Sequence, residues 1–266
     1  MNHIGTYKIE RFPASRLATI DIGIISHNRN SIKALIELDV TDARSMIREK
    51  KKKNEDISFN AWLIYCISKT VEQNRAIHGI RKGKQNIVVF NDVDISIMIE
   101  RTLQGKKVPL PYVIRKANEK SIAEITEEIR AAQKQSIMHE GNYVLGEMKN
   151  KYLMKFYYRL PGFLRRGVWG KMLHNPFITK QNMGTVMITS VGMMGKINGW
   201  VIPESIHPLA FAVGSVIKKP GIKNNQIEVR EYLNLTVSVD HDVIDGAPAI
   251  RALSKLINRM EKGYGL

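Results

Sequence analysis

The 266-residue sequence contains one cysteine, Cys66, so no intramolecular disulfide can form. Cys66 lies in WLIYCISKTV, a helix-like apolar run, and reads as a buried, inert thiol rather than a nucleophile. No apolar stretch approaches the roughly 18 to 20 residues needed to cross a bilayer. The opening MNHIGTYKIERFP lacks the apolar segment of a secretory signal, so the expected location is cytoplasmic. C-x-x-C pairs, a Walker-type loop and G-x-G-x-x-G are missing, which removes the usual signals of zinc, P-loop and dinucleotide sites; no metal is expected. Acid is scarce. With 41 Lys and Arg against 25 Asp and Glu, the formal charge is +16, a field that favours anionic partners. Nucleic acid, an anionic membrane surface and a polyphosphorylated small molecule all satisfy that field. No aromatic RNP-like stretch makes RNA recognition specific, so nucleic acid is not an expected partner.

What is present suits an ordinary folded chain, 44% hydrophobic and 25% charged, read as one domain over 1–266. Ile32, Ala34, Ile36 and Leu38 alternate with mostly polar neighbours and predict a half-buried strand over about 31–40. Thr41 and Asp42 offer capping chemistry for a helix that runs through Met46 and Ile47 into the basic run Lys50 to Lys53. FNAWLIYCISKTVEQ reads as a second, largely buried helix. IVVF at 87–90 and DVDISIMIE at 92–100 read as adjacent strands joined by a tight turn at Asn91. Ser121 and Glu124 have capping-box spacing ahead of Ile122, Ile125, Ile129 and Ala132, which predicts a helix from 121 to about 134. Strand signals resume in GTVMITSVG and LAFAVGSVI. The mixture has no strict βαβ repeat, so the fold class is α/β in the broad sense: an α+β, two-layer arrangement.

The last unit is the most informative. Leu233, Leu235, Val237 and Val239 alternate with polar residues in a strand that ends at His241; Pro248 suits the first turn of a helix with Ile250, Leu253, Ile257 and Met260 on one face. Parity places His241 on the side of Val239, toward the packed face. A neutral imidazole there could take a proton from a thiol or hydroxyl, although a lone histidine at a strand end is as readily structural. Asp245, just ahead of the helix, is favoured by the backbone dipole with or without a site.

Read whole, DHDVIDGAPAIRALSKLINRM resembles the His-x-x-x-Asp-Gly signature of the 2-oxoacid dehydrogenase acyltransferases and of chloramphenicol acetyltransferase. MGTVMITSVGMMG is similar to the family's glycine-flanked strand bearing a hydroxyl, and HPLAFAVGSVIKKP to the strand after it. Earlier segments match in order and spacing, and the likeness covers most of the chain outside roughly 138–180. The resemblance implies a chloramphenicol-acetyltransferase-like mixed sheet with flanking helices, and a homotrimer whose sites lie between subunits. It also implies roles: His241 as general base, Thr189 as hydrogen-bond donor to the oxyanion, Asp245 as holder of the active-site loop, and Gly246 as permitting a close turn there. Coenzyme A would be the cosubstrate, with no metal and no covalent lipoyl group on this chain. Two departures stand out. The family's lipoyl and partner-binding modules have no room here, and its basic N-terminal helix is replaced by SRLATIDIGIISHNRNS, which leaves Arg16 as the sole guess for a partner of Asp245.

A further departure is EMKNKYLMKFYYRLPGFLRRGVWGKMLHNP, within the segment at about 138–180. Lys151, Lys155 and Arg159 recur every four residues opposite Leu153, Phe156, Tyr157 and Leu160, and no acid occurs from Lys149 to Lys171. That is the composition of a basic amphipathic helix. It serves either as a lid or subunit contact or as a membrane surface through 148–174. The expected function is a coenzyme A-dependent acyltransferase acting on a small-molecule or lipoyl-type acceptor. The alternatives are a lipoyl-dependent component of a 2-oxoacid dehydrogenase complex and a non-catalytic trimeric scaffold.

Overall fold

A computed structural model of the protein describes residues 4–103, 106–134, 156–192, 195 and 197–266. Among the described residues the strands are β1 Ser31–Asp39, β2 Ile80–Lys82, β3 Asn86–Val88, β4 Ile95–Leu103, β5 Lys106–Ile114, β6 Val186–Ser190, β7 Leu209–Lys223 and β8 Gln226–Asp240. The α-helices among the described residues are α1 Ser15–His27, α2 Thr41–Lys52, α3 Phe59–Gln73, α4 Ile122–Lys134, α5 Gly162–Leu173, α6 Pro176–Met183 and α7 Gly246–Glu261. Six strands form one mixed sheet in the order β1-β8-β7-β6-β4-β5, parallel at β4/β6 and β6/β7 and antiparallel elsewhere. The two-layer, mixed-sheet expectation holds.

The helices α2, α3, α4 and α7 cover one face of this sheet. Leu233, Leu235, Val237 and Val239 of β8 point into that layer with Trp62, Ile64 and Ile67 of α3 and Leu253 and Leu256 of α7. Trp62 is fully buried, and its Nε1 donates to the Tyr264 carbonyl at 3.0 Å, so the largest core side chain has its one polar atom satisfied. The capping box at α4 is reciprocal: Ser121 N–H donates to Glu124 Oε2 (2.7 Å) and Glu124 N–H to Ser121 Oγ (3.3 Å).

The structure corrects several local expectations. At α2 the helix begins at Thr41; the Thr41 N–H and hydroxyl both donate to Asp39 Oδ1, so the acid before the helix supplies the polar partner. The IVVF segment does not neighbour β4. It pairs with β2 in a separate hairpin, because the chain turns at Gly83 (φ 65°) and the Asp94 carbonyl accepts from Thr185 and Val186 before β4 joins the main sheet. In α7 the buried stripe is Ala249, Ala252, Leu253, Leu256 and Met260, while Ile250 is exposed, since it stands about 100° of helix rotation from Ala249. The polar row of β8 is buried as well, Asn234 and Thr236 included, with Asn234 Nδ2 donating to the Gly199 carbonyl.

Of the basic amphipathic helix, Lys151, Leu153 and Lys155 fall outside the described residues. From 156 onward the segment turns inward. Trp169 Nε1 donates to Tyr157 Oη at 2.9 Å, and both rings are buried with Leu173 and Ile206 in a second small core against Ile22 and Ile25 of α1. Trp169 is therefore packed against its own chain and not presented outward.

Candidate active site

The hydroxyl side of the site is built by β6. The strand enters through Gly184 (φ 71°), where a Cβ would lie 2.6 Å from the Asp94 carbonyl oxygen, and leaves through Gly192, where a Cβ would lie 2.2 Å from the Gly214 carbonyl oxygen. Side chains are sterically excluded at both ends. Asp94 also receives Lys180 Nζ (2.9 Å), Arg115 Nη1 (3.0 Å) and the Lys116 N–H (2.9 Å), which ties the end of α6 to the start of β4. Burial works against the Asp94 carboxylate, yet these three donors hold it below the usual carboxylate range.

Thr189 and Ser190, both half-buried, border an open cleft of about 800 Å³ between the sheet and the helices α3 and α4. Leu63 and Ile64, Ile97 and Ile99, and Ile129 make its walls apolar, with Asn60, Glu100 and Gln133 as polar points. Strand alternation sets the two hydroxyls on opposite faces, Ser190 on the side of the core residue Ile188 and Thr189 on the other. Ser190 was missed at the sequence level; counting parity from Val186 would have marked it as the hydroxyl on the helix-facing side.

The imidazole side differs from expectation. β8 ends at Asp240, and residues 241–244 form a turn in which Val243 and Ile244 N–H groups donate to the Asp240 carbonyl. Parity does not survive that turn, so His241 is exposed and does not point into the packed face. Its backbone is nonetheless fixed: the His241 N–H donates to the Asn30 carbonyl (2.8 Å), Asn30 Nδ2 to Asp242 Oδ1 (3.0 Å), and Arg29 Nη1 to Asp240 Oδ2 (3.4 Å). Burial pushes Asp240 above the usual carboxylate range and Arg29 below its own, each opposed by the other's charge. Arg29 and Asn30 carry no local signal that could have announced this role.

Asp245 stands at the N-cap of α7, exposed, without a side-chain cap bond, and among the described residues it has no ion-pair partner; Arg16 does not reach it. The close-turn reason for Gly246 also fails within the chain. A Cβ there would meet only Ile32 Cδ1 at 3.9 Å, and its φ is not positive. The buried His78 and the half-buried His207 are occupied by the fold. His78 is held between Thr185 Oγ1 and the Phe90 carbonyl, and His207 between Ser205 Oγ and the Met183 carbonyl; burial brings each down to about 4. Burial likewise pushes the Cys66 thiol up to about 12, which removes it as a nucleophile near neutrality. Among the described residues no three potential metal ligands cluster.

The register measures how far apart His241 and Thr189 are. Val239 pairs with Leu209, which pairs with Val186, whereas Thr189 aligns with Ala212 and Thr236. His241 thus lies five residues beyond the Thr189 row and two strands across, roughly 20 Å by strand geometry. One chain does not bring the two groups together.

The model of the family described as 2-oxoacid dehydrogenases acyltransferase (catalytic domain) matches residues 27–152 and 178–265. The chain belongs to this family. The stretch between the two matched parts, 153–177, lies inside the aromatic and basic segment. Similar curated proteins include the lipoamide acyltransferase component of the branched-chain alpha-keto acid dehydrogenase complex of Bacillus subtilis, 24% identical over 233 residues, covering 85% of this chain and 46% of that protein. The dihydrolipoyllysine-residue acetyltransferase component of the pyruvate dehydrogenase complex of Rickettsia conorii is 25% identical over 195 residues, covering 73% and 38%. The chain spans less than half the length of these two relatives. The fold matches that of a probable dihydrolipoamide acetyltransferase from Listeria monocytogenes (TM-score 0.65, 20% identity, 97% of this chain and 95% of the other). It also matches a chloramphenicol acetyltransferase (TM-score 0.51, 12% identity, 97% and 98%).

Proposed function

We propose that this chain is the acyl-transferring unit of a 2-oxoacid dehydrogenase type of system and exchanges an acyl group between a dihydrolipoyl thiol and coenzyme A. The family match, spread over both ends of the chain with the His-x-x-x-Asp-Gly motif inside it, carries this reading. It supports the lipoyl-dependent activity better than the broader coenzyme A acyltransferase expected from the sequence. The formal charge of +16 suits the phosphates of coenzyme A.

In this reading His241 takes the proton of the attacking thiol as its sulfur bonds to the thioester carbonyl carbon. The carbonyl oxygen becomes an oxyanion that accepts a hydrogen bond from Thr189, a contribution of about 3 kcal/mol. Collapse of the tetrahedral intermediate breaks the original carbon–sulfur bond, and the proton on His241 passes to the departing thiolate. Asp245 holds the 241–245 turn. The separation of roughly 20 Å between His241 and Thr189 in one chain supports a homotrimer in which His241 of one subunit meets Thr189 of the next. The proposal places the chain in the cytoplasm, with lipoyl groups supplied by another domain or chain.

Free-thiol release from acetyl-, propionyl-, isobutyryl- and isovaleryl-coenzyme A, with free dihydrolipoamide as acceptor, tests the reading. Turnover that depends on dihydrolipoamide is the expected result. Transfer to amines or alcohols with none to dihydrolipoamide would overturn the lipoyl assignment.

A further inference from the structure

We propose that the outward face of α5 docks on an anionic lipid surface, an interaction independent of the acyl chemistry. The inward face of α5 is committed. Arg165 pairs with Asp21 of α1 (Nε to Oδ2, 2.7 Å) and donates to the Leu160 carbonyl (2.7 Å), while Trp169 and Leu173 fill the small core. These contacts fix the rotation of the helix about its axis. At 100° per residue, Phe163, Gly167, Lys171, Leu164 and Val168 then occupy a continuous arc of about 140° on the opposite side. The three apolar side chains of that arc are 66%, 45% and 42% exposed, and Phe156, just upstream, is exposed as well.

Charge identifies the occupant. No Asp or Glu occurs between Glu147 and Glu204, and among the described residues the one acid that pairs with α5, Asp21, is wholly buried beneath it. The cations at the surface are Lys171 within the apolar arc and Arg159 before it, while Arg166, about 60° of helix rotation outside the arc, is drawn toward Asp21 (3.8 Å). An apolar strip set in cations with no exposed acid from its own segment is complementary to lipid headgroups of negative charge above acyl chains. The helix has 12 residues, about 18 Å of rise, which is too short to span a bilayer and suits a position in the interfacial plane. The segment also falls in the part of the chain that the family model leaves unmatched, 153–177. The surface is thus an addition to the acyltransferase frame.

Co-sedimentation of the full chain with vesicles tests this. Wild-type protein should pellet with equal parts phosphatidylglycerol and phosphatidylcholine at low salt and stay in solution with phosphatidylcholine alone. Raising salt to about 1 M, where screening acts within about 3 Å, should weaken binding. The triple variant Phe163→Glu, Leu164→Glu, Val168→Glu changes only exposed side chains, so its melting temperature and its activity on soluble substrates should stay as in wild type. Its affinity for anionic vesicles should fall at least about tenfold. Three results would overturn the proposal: no pelleting of wild type with anionic vesicles at low salt, equal pelleting of the triple variant, or a drop in the variant's mass by light scattering, which would assign the face to a second copy of this chain.

Discussion

If His241 of one subunit meets Thr189 of the next, a trimer made only of His241→Ala chains lacks the base at all its sites, and one made only of Thr189→Ala chains lacks the oxyanion donor at all of its sites. Loss of a general base costs at least about a hundredfold and loss of an oxyanion donor a similar amount, so each parent should keep about 1% of wild-type turnover or less. Mixing the two variants by unfolding and reassembly changes the arithmetic. At any one interface the chain presenting residue 241 carries the intact histidine with a chance of about one half, and its neighbour carries the intact threonine with the same chance. About a quarter of the interfaces are then wild type, because around a three-fold ring every contact runs in the same head-to-tail sense. Thiol release should recover to about 25% of wild type, some twentyfold or more above either parent. Differently tagged variants, purified by both tags in sequence, verify that mixed trimers formed. Such trimers with no more activity than the parents would refute the shared site, and with it the inference drawn from the roughly 20 Å separation in one chain.

Thr189→Val should lower turnover by about a hundredfold or more, while Ser190→Ala, on the helix-facing side of β6, should cost less than about tenfold; steady-state kinetics showing the reverse order would move the oxyanion role to Ser190. Asp21→Ala leaves the buried Arg165 without its partner and should destabilise the fold by about 3–5 kcal/mol in urea denaturation, whereas Asp21→Leu combined with Arg165→Met should restore most of that loss. His78 and His207 have folded-state values near 4, below the ordinary 6.5, so the unfolded chain binds more protons between those pH values and stability should fall as pH drops from 6.5 to 4. Replacing both by Gln should flatten that part of the melting-temperature profile, and an unchanged slope would show that these rings do not titrate on unfolding.

The elements whose signal is local were legible in the sequence by itself. Alternation in β1 and β8, the capping box of α4 and the continuous apolar run of α3 each depend on neighbours a few residues away, and each is present in the structure. The His-x-x-x-Asp-Gly motif named the family for the same reason, since its residues are contiguous. What needed tertiary structure was whatever depends on which strands meet and which faces are covered. β5 was missed because Pro109 and Pro111 speak against a strand, yet β5 lies at the sheet edge, where missing N–H donors cost little. α1 was missed because Ile20, Ile22, Ile24, Ile25 and Gly23 have weak helix propensity; the helix is instead held by the buried Asp21–Arg165 pair, whose members are 144 residues apart. Trp169 reads as an interfacial aromatic in composition and is buried in fact, since only the packing of α5 on α1 decides which side of a helix meets water. The distance between His241 and Thr189 belongs to this second class: β7 lies between their strands in the sheet order, and sheet order is set by long-range pairing that no local pattern encodes.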